Sequence, residues 1–153
     1  MALISQIKRF FKRDDDTAYH LYGAVVAQAR QEAFYTQFGV PDTLDGRFDM
    51  IVLHAILVFR RLEAIGPEGH ELAQTTFDVM FGDMDRSLRE LGVGDLSVPK
   101  KIKVMAQAFY GRAEAYSAAL DGDDKNALSL VLARNIYAET NQDKKASDRL
   151  AAY

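Results

Sequence analysis

The sequence has no cysteine, only three prolines, no apolar run of bilayer-spanning length and a net charge of just −3. Each shortage removes a class of explanation. Without cysteine there are no disulfides, no thiolate metal sites and no cysteine nucleophile, which suits a reducing compartment. The prolines stand at 41, 67 and 99, and period-3.6 patterning fills most of the chain between them, so a β architecture finds no support. No apolar stretch reaches the roughly 18 residues that a membrane span needs. The start, MALISQIKRFFKR, lacks the uninterrupted apolar core and small-residue cleavage site of a secretory signal. A slightly acidic chain is not a general nucleic-acid binder, so DNA is excluded as a partner and any basic site must be local.

What remains is a chain of 153 residues, 48% apolar and 27% charged, long enough for a real core. The pattern predicts an all-α, single-domain bundle of about six helices. Leu3, Ile4, Ile7, Phe10 and Phe11 share an arc of about 120° opposite Lys8, Arg9, Lys12 and Arg13, which predicts a short amphipathic segment over 1–13. Its basic and aromatic residues, Lys8, Arg9, Phe10, Phe11, Lys12 and Arg13, suit a membrane surface. The run DDD at 14–16 should interrupt it, with Asp16 or Thr17 capping the next helix. The helical domain is expected over 17–141. Residues 142–153 read as a polar, loosely packed tail. A helix over about 47–65, apolar nearly all round, should be the central buried element. Gly66 and Pro67 separate it from a helix with a Phe77–Met80–Phe81–Met84 stripe. Pro99 then opens a helix with a core stripe through Met105, Phe109 and Tyr116.

Few residues suggest chemistry. The loop LGVGDLS lacks the Walker pattern, and no strand precedes it. His20, His54 and His70 are scattered, with neither HExxH nor an ExxH pair, so no metal site and no cofactor are expected. Two features stand out. Arg47, His54 and Arg61 recur every seven residues and so share one side of the central helix; either acids such as Asp78, Asp83 or Asp85 pair with them, or they line a basic groove. Lys100, Lys101 and Lys103 open a helix at the end where the macrodipole disfavours cations, at a cost of a few tenths of a kcal/mol each. They are either solvated surface or a partner site. Asn135 lies on an apolar arc beside Arg134, where a structural hydrogen bond is the default and the edge of a groove the alternative.

Three long motifs give the chain a family likeness: YGAVVAQAR with GVPDTLDGRFDMIVLHAILVFRRL, DMDRSLRELGVGDLSVPKK with KIKVMAQAFYGRAEAY, and LARNIYAE. Together they resemble the ubiquinol–cytochrome c chaperone family over about residues 19–138. The resemblance implies an all-α protein that is not an enzyme and helps newly made cytochrome b into the bc1 respiratory complex. Mitochondrial relatives do so near the ribosomal exit, so a ribosome contact is also implied. The family pattern draws attention to Arg47, Phe48, His54, Arg61, Asp83, Asp85, Arg89 and Glu90. It further marks Gly92, Gly94, Asp95, Lys100, Lys101, Tyr110, Gly111, Arg112 and Asn135. Of these, Arg47, His54, Arg61, Arg89, Asp95, Lys100, Lys101, Arg112 and Asn135, with Lys103, are the expected partner contacts. No long targeting extension precedes the motifs, so a bacterial protein at the cytoplasmic face of the inner membrane is expected.

Two other classes compete. One is a helical adaptor that binds a membrane surface or RNA through a local basic groove. The other is a helical enzyme built from carboxylates distant in sequence, around His54.

Overall fold

The computed structural model describes residues 2–138, 140 and 144–153, with side chains from residue 16 onward. The chain is all-α. Seven helices occur among the described residues: α1 (Ala2–Ala29), α2 (Glu32–Thr36), α3 (Leu44–Glu63), α4 (Pro67–Glu90), α5 (Val98–Asp121), α6 (Ala127–Asn135) and α7 (Lys144–Ala152). They form two compact units, each discontinuous in sequence. The first takes the chain up to Val25 and from Leu57 to Ala106; the second takes Val26–Ile56 and Gln107–Tyr153.

Two expectations are corrected. The backbone of α1 runs through the acidic triplet 14–16 without a break. Aspartate costs an exposed helix position only about 0.7 kcal/mol relative to alanine and, unlike proline, keeps its N–H. Neither Asp16 nor Thr17 therefore begins a helix. The side chains proposed for membrane contact, Lys8 to Arg13, lie outside the described set. The polar end also differs from expectation: residues 144–152 form α7, with Ala146, Ser147 and Leu150 buried. Its apolar positions are few but spaced four apart, and α7 docks on α6, where the Ser129 and Ser147 hydroxyls meet at 3.1 Å.

In the first unit, Ala18, Tyr22 and Val25 of α1 are buried at helical spacing. Phe59 of α3, the α4 stripe of Ala73, Met80, Phe81 and Met84, and Val98 of α5 complete its core. Tyr22 donates to the Asp83 carboxylate at 2.8 Å, so an acid proposed to pair with the central arginines is used here instead. Gly69 is required by close approach, because a Cβ there would stand 2.0 Å from the Leu62 carbonyl oxygen.

The second unit holds the part of α3 that is apolar nearly all round, with Met50, Val52, Leu53, Ala55 and Ile56 at 5% exposure or less. Phe34, Phe109, Tyr116, Leu132, Ile136 and Tyr137 join them in the core. The Tyr137 hydroxyl donates to the Phe38 carbonyl at 2.8 Å, tying the chain after α6 to the segment after α2. Burial pushes that phenol up to about 12, so it stays a donor throughout the physiological range.

Candidate functional site

The lysine-bearing edge begins where α4 stops. Leu91 is the last half-helical residue, and Gly92 follows with φ of +84°. The Gly92 N–H bonds the Arg89 carbonyl at 3.0 Å and the Val93 N–H bonds the Leu88 carbonyl at 3.0 Å. This is the paired closure of a Schellman motif, which needs a residue that adopts a left-handed conformation cheaply. Gly92 thus ends the helix, as its place in the sequence predicts. Arg89 then holds the turn from outside it. Its Nε meets Asp85 at 2.6 Å and its Nη1 meets Asp95 at 2.7 Å. Ser97 and Val98 both bond the Gly94 carbonyl, at 2.8 and 3.1 Å, and Val98 is fully buried. The turn is pinned at both ends.

From this anchored start α5 projects Lys100, Lys101 and Lys103, all exposed. None makes an ion pair with a described residue. At 100° per residue, Lys103, Lys100, Val104 and Lys101 follow one another around an arc of about 160°. Arg89 and Asp95, both expected as partner contacts, pair with each other across the turn that precedes these lysines.

The second unit contains a polar cluster that the sequence reading only half saw. Arg112, one of the expected contacts, is largely buried. Its Nη2 lies 2.8 Å from Asp49 Oδ1, and its guanidinium carbon is 5.8 Å from the centre of the Phe48 ring. One turn further along α5, Tyr116 is 1% exposed. Its hydroxyl and Arg112 Nη1 are both buried without a hydrogen-bond partner. Burial pushes the Asp49 carboxyl up to about 6; Arg112 opposes that rise and Asp45 adds to it. Burial likewise raises the Tyr116 phenol. Asp49 lies 63 positions from Arg112 within an apolar run, so its pairing with Arg112 was not visible in sequence.

The line of Arg47, His54 and Arg61 does not act as one. Arg47 is exposed and bonds Asp42 at 2.8 Å, and Arg61 is exposed in the first unit. His54 alone is buried. The acids proposed as their partners are occupied otherwise: Asp78 by Gln74, Asp83 by Tyr22 and Arg86, Asp85 by Arg89. The His54 Nδ1 lies 2.8 Å from the Met50 carbonyl, which can only accept, so that nitrogen carries the proton. Its bare Nε2 then accepts from the Tyr153 hydroxyl at 3.1 Å, and Tyr153 accepts from Gln28 Nε2 at 2.6 Å. Phe34 packs edge-on against both rings, at 5.3 Å from His54 and 5.0 Å from Tyr153. Burial lowers the His54 pKa, with the Met50 bond opposing. The imidazole is hydrogen-bonded, as expected from sequence, and the push toward its neutral form comes from burial, not from neighbouring arginines. Asn135 bonds the Val131 carbonyl at 2.9 Å, the structural role expected by default.

A family model described as ubiquinol–cytochrome C chaperone matches residues 36–153. Over 136 residues the chain is 24% identical to mouse ubiquinol–cytochrome c reductase complex assembly factor 1, covering 89% of this chain and 46% of that protein. It is 26% identical over 142 residues to the Drosophila melanogaster protein of the same name, covering 90% and 54%. The chain thus spans about half the length of these relatives. The crystal structure of the Cbp3 homolog from Brucella abortus superposes with a TM-score of 0.83 at 44% identity, covering 98% of this chain and 83% of that one.

Proposed function

Because the chain belongs to the ubiquinol–cytochrome c chaperone family, we propose that it is a non-enzymatic helper in building the ubiquinol–cytochrome c reductase complex, with cytochrome b as its client. The observation that carries the reading is the family match across residues 36–153, joined by the names of the mouse and fly relatives. The geometry agrees with a binding role. In the second unit His54 is bound into the core and Arg112 is paired with Asp49 beneath the surface. Arg47, Arg61, Lys100, Lys101 and Lys103 are among the exposed cations, and in this reading they are the side chains offered to the assembly apparatus. Arg89 and Asp95 hold the lysine turn in place.

The protein would work at the membrane where its client resides, as a peripheral component. Among the described residues no helix is long and apolar enough to cross a membrane. The relatives' function favours this reading over an RNA-binding adaptor.

The test uses the native organism. Tagged full-length protein is expected to co-purify cytochrome b, and deleting its gene should lower the assembled complex while cytochrome b transcript stays unchanged. The variant Lys100→Glu/Lys101→Glu/Lys103→Glu should lower assembled complex at normal abundance of the variant itself. Phe109→Ala is the control: at 4% exposure its cavity should cost about 3–5 kcal/mol and lower the protein's own level. Normal assembly in the deletion strain would overturn the proposal.

A further inference from the structure

The tip of the turn between α4 and α5 is apolar as well as basic. Leu96 is 89% exposed, the most exposed large apolar side chain among the described residues, with Val104 at 64% and Leu91 at 62% nearby in the chain. Residues 89–104 carry a net charge of +2 in a chain whose total is −3. Arg89 is committed to Asp85 and Asp95, which leaves Glu90 as the one acid of that stretch without a described ion pair, against three lysines. No acid occupies the first turn of α5. Leu96 stands between two fixed points, the Arg89–Asp95 pair and the buried Val98, so its protrusion is built into the turn.

We propose that this edge is a docking site for an anionic phospholipid surface: Leu96 enters the interface while Lys100, Lys101 and Lys103 meet headgroup phosphates, with Val104 among them. Two features select lipid over an acidic protein segment. A protruding leucine needs no matching pocket in a fluid interface, whereas a folded partner would have to provide one. Cations spread over an arc of about 160° suit a plane of mobile charges better than the single line of charges on an extended peptide. The site would set the orientation in which the protein meets the membrane that houses its proposed client. It stands on the geometry of the turn alone, so it survives or falls independently of the identity of that client.

The experiment uses purified full-length protein and vesicles, with no cytochrome b present. Sedimentation is expected with vesicles of phosphatidylglycerol and phosphatidylcholine in equal parts, not with phosphatidylcholine alone, and it should weaken as salt is raised. Lys100→Glu/Lys101→Glu/Lys103→Glu should lower the partition coefficient by on the order of 100-fold, from three lost attractions and three added repulsions. Leu96→Glu should lower it by about tenfold or more. Circular dichroism should show both variants folded, since these side chains are exposed. The variant Lys8→Glu/Arg9→Glu/Lys12→Glu/Arg13→Glu separates the other basic segment: if it abolishes binding while the two edge variants bind like the wild type, the edge is not the site. Failure of the wild type to bind anionic vesicles overturns the proposal, as does binding to polyglutamate without binding to vesicles.

Discussion

Arg89 and Arg112 carry the same side chain within neighbouring motifs, yet they do opposite work. Arg89 lies at the surface of the first unit and clamps two exposed aspartates across a turn. Arg112 lies mostly buried in the second unit against a carboxylate that is itself buried. At the surface, water screens the charges, so the clamp positions the lysines but adds little stability. In the interior, each charge was stripped of water, so the pair is tolerated only because both members are present. The contrast teaches that a shared motif arginine is no guide to which surface meets a partner.

The sharpest break of the comparison is to remove Arg112. Arg112→Leu should destabilise the protein by about 3–5 kcal/mol, because Asp49 is left buried and unpaired. The double variant Asp49→Leu/Arg112→Leu should recover most of that loss. Urea denaturation reads both, and a double variant no more stable than the single would show that the pair is not coupled.

Acidity tests the interior from another side. The folded pKa of Asp49, about 6, lies above its ordinary value of 3.8, so the native state binds more protons between those values. Its contribution to stability therefore rises as pH falls through that window. His54 has the opposite sign. Its folded pKa lies below 6.5, so the unfolded state takes up protons first and stability is lost as pH drops through 6.5. The two effects offset each other in the wild type. Asp49→Asn should give a steeper fall in Tm between pH 7 and pH 5, and His54→Gln a shallower one. Parallel pH profiles for all three proteins would contradict the assignment.

Smaller effects are expected at the turn. Gly92→Ala meets no atom within 4 Å of its new Cβ, so its cost is the left-handed backbone alone, about 1 kcal/mol. A loss above about 3 kcal/mol would mean that the turn supports the core. Smallest of all, Lys100→Glu/Lys101→Glu/Lys103→Glu should leave stability within about 0.5 kcal/mol or raise it, since acids suit a helix start. Thermal unfolding in low and high salt checks both the size and the electrostatic origin. A marked destabilisation would place those lysines in the fold and not at a partner.

Much of this was legible in the residues. The 3.6-residue period gave an all-α chain, Gly66–Pro67 marked the boundary between α3 and α4, and Gly92 marked the end of α4, because glycine and proline act through their own backbone geometry. The exposed lysines were legible for a related reason: cations at a helix start conflict with the local dipole whatever surrounds them. The acidic triplet misled because three aspartates weaken a helix without breaking it. The end of the chain misled because α7 has so few apolar residues that its burial depends on α6.

Local chemistry, then, is what the sequence by itself determined: where helices run, where they stop, which family the motifs resemble and where charge is placed against preference. Pairing was decided only in three dimensions. Asp49 finds Arg112 at 2.8 Å across 63 positions of sequence, and His54 meets Tyr153 at 3.1 Å across 99. No period or cap encodes such meetings. The burial that turns an ordinary arginine into a structural counter-ion, and an ordinary histidine into a neutral acceptor, comes from neighbours far away along the chain.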